Sequence, residues 1–499
     1  MDKKDGLFNF IFRKQRAILF LTISILICQF TILKALYPHA ILEEDSHHYI
    51  QAAMNSADIS AWPIGYSKLL GWIHLFSRGD WAVVVFQYIL LEGAILYFYF
   101  SIKYLLNPSK WICLVILFFL LMNPFIICIS NYVLTDSIFA ALTIIWFTFT
   151  LWYFHKPMII HSYILVILIF VMFSIRYYAV FYPMITVPII LSSKDRWWVK
   201  LSSMVIGYLL FLLFVLYTES LYEKMIGRRD FSPFSGWQLA ANALIMYRHI
   251  PNREADAPPP ADLQSLHQLV LHDLNTMPPP NILQDKRLRF YFTWGLHTPL
   301  LEFGHVYFPN DPTHEDLKKW ASMGKIYRDY GAYLIKRHPI AFVRYYVGQG
   351  IDWFIDPTVE FTNVYSNGGE EIYDVDKNWF GYKSYWLSCT RSKFYSIAFF
   401  PLIVDILNFL LLLGITGFFY CRCYKTSTPI FTRAIILVAA YSLANFIFII
   451  FTAPSMLRYA LSGMILNIVF LPVLFERIYL SGSKQNTIMS PQTSQFAKI

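Results

Sequence analysis

Apolar residues in this 499-residue chain run together instead of alternating with polar ones. Ten stretches are close to the length of about 20 residues that a helix needs to cross a bilayer. They are Ala17–Leu36, Trp81–Leu105, Trp111–Ile129, Leu134–Phe154, Met158–Ile175, Val180–Leu191, Leu201–Tyr217, Ser396–Tyr420, Phe431–Phe451 and Leu457–Tyr479. The sixth is short and holds Pro183 and Pro188, so it is expected to be broken or re-entrant. Continuous runs exclude a β-barrel, whose strands alternate apolar and polar positions. The expected fold class is therefore an all-α polytopic membrane protein of about ten transmembrane helices.

Two long polar segments interrupt the pattern. The first, residues 37–80, holds Glu43-Glu44-Asp45, then a turn at Trp62-Pro63-Ile64-Gly65-Tyr66. Ser67 to Phe76 follows with Leu69, Leu70, Trp72, Ile73 and Phe76, the spacing of an amphipathic helix lying in the membrane interface. The second segment, residues 218–394, is a large insert with Pro-rich pieces at Ala257–Pro260 and Met277–Pro280. Leu263–Asn275 and His314–Arg337 read as helices, so the insert is expected to be a small α-rich external domain. Trp353, Phe354 and the stretch Trp379–Trp386 are expected to pack it onto the membrane face. The organisation is then membrane helices over 1–217, an external domain over 218–394, membrane helices over 395–480 and a tail over 481–499. The tail is expected to be cytoplasmic, and Gln485 to Ile499 to be disordered. No internal repeat is visible, which argues against a transporter built from paired halves.

Charge orients the bundle. A net charge of +9 would fit a nucleic-acid partner, but the basic residues cluster at the ends of the apolar runs. Lys3, Lys4, Arg13, Lys14 and Arg16 precede the first run, and Lys194, Arg196 and Lys200 follow the sixth. With ten crossings these and the remaining basic clusters share one side, the cytoplasm, together with both termini. The first run is too long for the apolar core of a signal peptide and lacks a small-residue cleavage site, so it reads as an uncleaved helix. The six cysteines show no disulfide or metal spacing.

The residues left on the other side carry the candidate chemistry. On a helix, Asp45, Tyr49 and Ala53 share a face, with His48 beside them. Asp45 is a candidate general base, with Glu43 and Glu44 as alternates. Asp45 or Ser46 simply capping a solvated helix is the plain alternative. Asp136, in Asn131-Tyr132-Val133-Leu134-Thr135-Asp136, opens the fourth run. It reads either as a helix-dipole partner or as a second acid facing Asp45. Arg176 and Arg458 both lie on the side where arginine is disfavoured. Arg458 also opens a helix, where a cation is unfavourable unless an anion is nearby. Snorkelling to headgroups or phosphate binding would account for Arg176. In the insert, Trp237 and Asn242 suit a sugar ring, and interface packing explains them equally well. His47 and His48 are adjacent and point about 100° apart on a helix, so they do not share one ion. No cofactor is expected to be required, with a divalent metal left open.

In order along the chain stand Asp45-Ser46-x-x-Tyr49-x-x-x-Ala53, Trp62-Pro63-x-Gly65-Tyr66, Asn131-Tyr132-x-Leu134-Thr135-Asp136, Arg176-Tyr177, the insert, and Arg458-Tyr459. This order resembles the C-type (GT-C) integral-membrane glycosyltransferases. It is most similar to bacterial relatives of the dolichyl-phosphate-mannose protein mannosyltransferases and the lipid A aminoarabinose transferases. The resemblance implies a GT-C-like bundle and an inverting transfer of a hexose or pentose from a polyprenyl-phosphate sugar donor. The acceptor would be a lipid, glycan or protein at the outer face of a bacterial inner membrane. It implies catalytic roles for Asp45, Glu44 and Asp136, and donor or acceptor contacts from Tyr49, Tyr66, Asn131, Arg176, Tyr177, Trp237, Asn242, Arg458 and Tyr459. The residue after Asp45 is Ser46, where the family often has a second acid, so that role would fall to Glu44.

Two other functions fit parts of the pattern. A transporter or flippase of lipids or polyprenyl-linked sugars would use Glu92, an acid inside the second run, as a proton site. A phosphoethanolamine-type transferase would need a metal-ligand set in the insert, which the sequence lacks.

Overall fold

The computed structural model describes residues 6–278, 291–295, 297–308, 317–366, 371–389, 393–452 and 455–489. Among them there is no β-strand, only helices, turns and isolated bridges. Among the described residues seven helical spans are long and apolar enough to cross a bilayer, and the chain is an α-helical polytopic membrane protein.

In chain order, α1 is Arg16–Leu36, α2 Glu44–Met54, α3 Gly65–His74 and α4 Asp80–Leu105. The third apolar run is two helices, α5 (Lys110–Leu121) and α6 (Pro124–Ile129), where one helix over 111–129 is expected from the sequence. Pro124 has no N–H to continue the ladder, and the Asn123 side chain caps the new start by accepting from Phe125 and Ile126. Next come α7 (Thr135–His155), α8 (Ile159–Ile175), α9 (Tyr182–Ser192) and α10 (Trp197–Ile226). α9 is a continuous short helix that carries Pro188 inside it, after a 3-10 turn at Tyr177–Phe181, so the break expected there lies before the helix. α10 runs past Tyr217 to Ile226 and stops at Gly227, whose φ of +74° is the left-handed conformation that glycine adopts without penalty. Length therefore qualifies seven segments, while α5, α8 and the 177–192 segment are shorter apolar helices.

The insert contributes α11 (Phe234–Tyr247), α12 (Gln264–Thr276), α13 (Pro299–Tyr307), α14 (Leu317–Arg337), α15 (Gly348–Ile355) and α16 (Asp374–Phe380). The bundle closes with α17 (Phe400–Tyr420), α18 (Pro429–Thr452) and α19 (Leu461–Met489). α19 reaches four residues beyond Gln485, where disorder is expected from composition, and residues 490–499 lie outside the described ones.

Two hydrophobic cores result. The larger joins the bundle, the first polar loop and the last part of the insert, from Tyr365 to Phe394. The smaller belongs to the insert alone, from Trp237 to Trp353. In it α11 crosses α14 at glycines: a Cβ on Gly236 would run into the Gly324 carbonyl, and one on Gly331 would lie 2.8 Å from the Ala240 nitrogen. α15 packs on α17 and α18, with Phe354 set edge-on to Phe446 at 5.0 Å, so Phe354 docks the insert on the bundle. Trp353 faces the other way, into the insert core.

Candidate functional site

Two short backbone bridges organise one end of the bundle. In the first, Ile41 N–H donates to the Asn131 carbonyl at 2.8 Å and Val133 N–H donates to the Ile41 carbonyl at 3.0 Å. This ties the start of the first loop to the turn before α7. In the second, Thr358 N–H donates to the Ser455 carbonyl at 3.1 Å and Leu457 N–H donates to the Thr358 carbonyl at 2.8 Å. This ties the insert to the 3-10 turn Leu457–Ala460 before α19. Each bridge lies two to four positions from a charged side chain, so the backbone itself brings distant charges together.

Those charges form one cluster. Arg458 Nη1 lies 3.1 Å from Asp45 Oδ2 and 3.4 Å from Asp136 Oδ2, and Nη2 lies 3.2 Å from the same Asp45 oxygen. Arg458 Nε lies 3.3 Å from Glu360 Oε2. On the far side of Asp136, Arg176 Nη1 approaches Oδ1 at 3.0 Å, while Arg176 Nε donates to Thr135 Oγ1 at 2.8 Å. The Tyr459 ring sits between the guanidiniums, 4.8 Å from Arg176 and 5.1 Å from Arg458, and Phe361 lies 5.0 Å from Arg458. Asp136 is fully buried and Arg458 nearly so, whereas the Asp45 side chain is 26% exposed and that of Glu360 19%. The cluster therefore opens to solvent along its Asp45–Glu360 edge.

Local sequence explains how Asp45 gets there. α2 is capped by Glu43, whose side chain accepts from the Ser46 backbone while Ser46 Oγ accepts from Glu43 N–H. Glu43, an alternate base by sequence, is thus a buried cap, and Asp45 sits in the first turn on the face of Tyr49. Tyr49 is buried, meets Thr135 and stacks edge-on to Tyr66, whose hydroxyl donates to Gln87. Burial, and next the Asp45 carboxylate, push the Tyr49 hydroxyl well above its ordinary range, so it stays a neutral donor. The insert clamps the same helix from outside: His47 Nδ1 lies 2.5 Å from Asp376 of α16, and Tyr373 donates to Glu44 at 3.1 Å.

Asp45, Asp136, Arg176, Arg458 and Tyr459 therefore meet, with Tyr49 on the buried face of α2 beside Asp45 and Tyr66 of α3 packed edge-on against it. The other expected site residues do not join them. Glu44 turns to Tyr373 of the insert. Asn131 is a fully buried strut that accepts from Lys34 Nζ at 3.0 Å and donates to the His39 carbonyl. Tyr177 packs on Phe173 and Phe231. Trp237 lies in the insert core, donating to the Trp320 carbonyl, and Asn242 accepts from Gln238 within α11. Packing, the alternative to sugar binding, accounts for both. Glu92 is buried in α4, away from the cluster. Among the described residues, no group of three or more His, Cys, Asp or Glu side chains is arranged to hold a metal ion.

Glu360 is the member that the sequence does not announce. It lies in an aperiodic stretch, Thr358-Val359-Glu360-Phe361, with no apolar pattern or motif around it. Its backbone φ is +53°, a conformation that few residues other than glycine and asparagine adopt. Burial pushes its carboxyl up to about 7, helped by Asp45 and Asp136 and opposed by Arg458. Comparisons with protein-family models, curated proteins and solved structures return no match to this chain.

Proposed function

We propose that this protein is a GT-C-type glycosyltransferase that moves a sugar from a polyprenyl-phosphate donor to an acceptor hydroxyl at the insert end of the membrane bundle. The observation that carries this reading is the convergence of Asp45, Asp136, Arg176 and Arg458 from four remote chain segments at one membrane boundary. An inverting displacement at an anomeric carbon needs a base for the incoming hydroxyl and cations for the departing phosphate. Carboxylates on the solvent edge and two guanidiniums behind them supply both. The arginines are the better-suited cations, because a planar fork binds phosphate oxygens in pairs. Asp136, held between them, fixes their separation. The apolar surfaces of the bundle offer the prenyl chain a lipid-facing place to lie. By this reading the insert end faces the outside of a bacterial inner membrane and both termini face the cytoplasm. The positive-inside distribution of Lys and Arg supports that orientation.

The test is direct. The protein in lipid nanodiscs is incubated with a panel of polyprenyl-phosphate hexoses and pentoses and with membrane-derived acceptors, and release of free polyprenyl phosphate is followed. Acceptor-dependent release by the native protein that Arg176→Ala and Arg458→Ala abolish is expected. Binding of polyprenyl phosphate no tighter than to the Arg458→Ala protein, with no release from any donor, would overturn the reading.

A further inference from the structure

We propose that Glu360, carried by the insert, is the group that takes the proton from the acceptor hydroxyl, and that Asp45 is a positioning residue that holds Arg458. This rests on the glycosyl-transfer reading above. The three carboxylates of the cluster are not equivalent. Asp136 is fully buried and shared by both arginines. Asp45 Oδ2 is engaged by two nitrogens of Arg458, so that oxygen is already taken up by the guanidinium it holds. Glu360 makes one longer contact, at Nε, and lies on the edge that opens to solvent. Its left-handed backbone holds it there against conformational preference, which is common where a side chain is fixed for chemistry. Its carboxyl, raised to about 7, suits proton exchange near neutral pH.

Charge balance favours the same assignment. With every acid ionised, Arg176 and Arg458 face Asp45, Asp136 and Glu360, two cations against three anions. In the reaction the acceptor O–H breaks and its proton joins the Glu360 carboxylate. The hydroxyl oxygen bonds to the anomeric carbon, and the bond from that carbon to the phosphate oxygen breaks, its electron pair leaving on the phosphate. The negative charge lost at Glu360 reappears on the departing phosphate beside the same guanidinium, so the net charge facing Arg458 does not change. The protonated Glu360 then returns its proton to water.

The experiment measures kcat and donor KM against pH for the native protein, Glu360→Gln, Glu360→Asp, Glu360→Gly and Asp45→Asn in nanodiscs, with melting temperature as the check on folding. Glycine fits the φ of +53° without strain, so Glu360→Gly removes the acid and keeps the fold. Expected are a fall in kcat of about 100-fold or more for Glu360→Gln with donor KM nearly unchanged, loss of the acidic limb near pH 7, and partial return of turnover in Glu360→Gly with added formate. Glu360→Asp keeps part of the activity, and Asp45→Asn keeps the native pH profile. A native-like kcat or a persisting acidic limb in Glu360→Gln overturns this assignment alone. A native protein that turns over no polyprenyl-phosphate sugar overturns the reading beneath it as well.

Discussion

Nη1 of Arg458 sits between Asp45 and Asp136, residues 413 and 322 positions away along the chain, at 3.1 and 3.4 Å. A guanidinium this buried is stable only among acids, and acids this buried only beside a guanidinium. The cluster is thus a tertiary lock as well as a candidate site.

Arg458→Ala leaves Asp45, Asp136 and Glu360 without the cation they share. A loss of about 3–5 kcal/mol is expected, the usual result of stripping one partner from a buried pair. Adding Glu360→Gln to Arg458→Ala recovers at least about 1 kcal/mol, because the acid whose ion-pair partner was removed is neutralised, while Asp136 keeps Arg176. Denaturant unfolding of Arg458→Ala, Glu360→Gln and the double variant in detergent measures it, and strictly additive losses would contradict the shared-charge picture.

Asp45→Asn is expected to leave stability within about 1 kcal/mol of native, since Asp45 is partly exposed and Arg458 keeps Asp136 and Glu360. It frees one face of Arg458 for phosphate, so donor KM falls or stays level while kcat falls about 10-fold or more from lost orientation. Steady-state kinetics separate the two constants.

Stability should depend on pH through Glu360. Its folded carboxyl is raised from the ordinary 4.5 to about 7, so between those values the folded state binds more protons than the unfolded state. Stability is therefore highest below about 4.5 for this group and is lost as pH rises through about 7. The groups facing it are Arg458, Asp45 and Asp136. Glu360→Gln should flatten that window by an amount on the order of 1–3 kcal/mol. Melting temperatures of both proteins from pH 5 to 8 check the sign.

Gly236→Ala places a methyl group into the Gly324 carbonyl where α11 crosses α14. The helices must part, and a cost of about 1–3 kcal/mol confined to the insert is expected. Faster proteolysis within the insert, with the membrane helices still protected, is the readout.

Cys421 is exposed in the turn after α17, on the end expected to be cytoplasmic. A membrane-impermeant maleimide should label it only after permeabilisation, and label a Lys325→Cys variant on the exposed face of α14 from outside. The opposite pattern would reverse the orientation.

Much of the bundle was legible because lipid imposes a one-dimensional rule: a helix that crosses must be apolar along its whole length. Asp45, Asp136, Arg176 and Arg458 were legible for a related reason, since charges at membrane ends are costly and stand out. Trp237 and Asn242 stood open between sugar binding and packing, because a residue type that suits a sugar also fills a small core, and α11 is such a core helix. Glu44 and Asp45 could not be separated by sequence: they are neighbours, and helix phase sends one to Tyr373 and the other to Arg458.

By itself the sequence determined that this is a helical membrane protein and which few charges stand at one boundary of it, because hydropathy is a property of consecutive residues. Only the tertiary structure decided which of those charges touch, and it alone brought in Glu360. That residue's place depends on Thr358 pairing with Ser455 and Leu457 and on an unfavourable φ. Contacts between segments hundreds of residues apart leave no periodic trace along the chain.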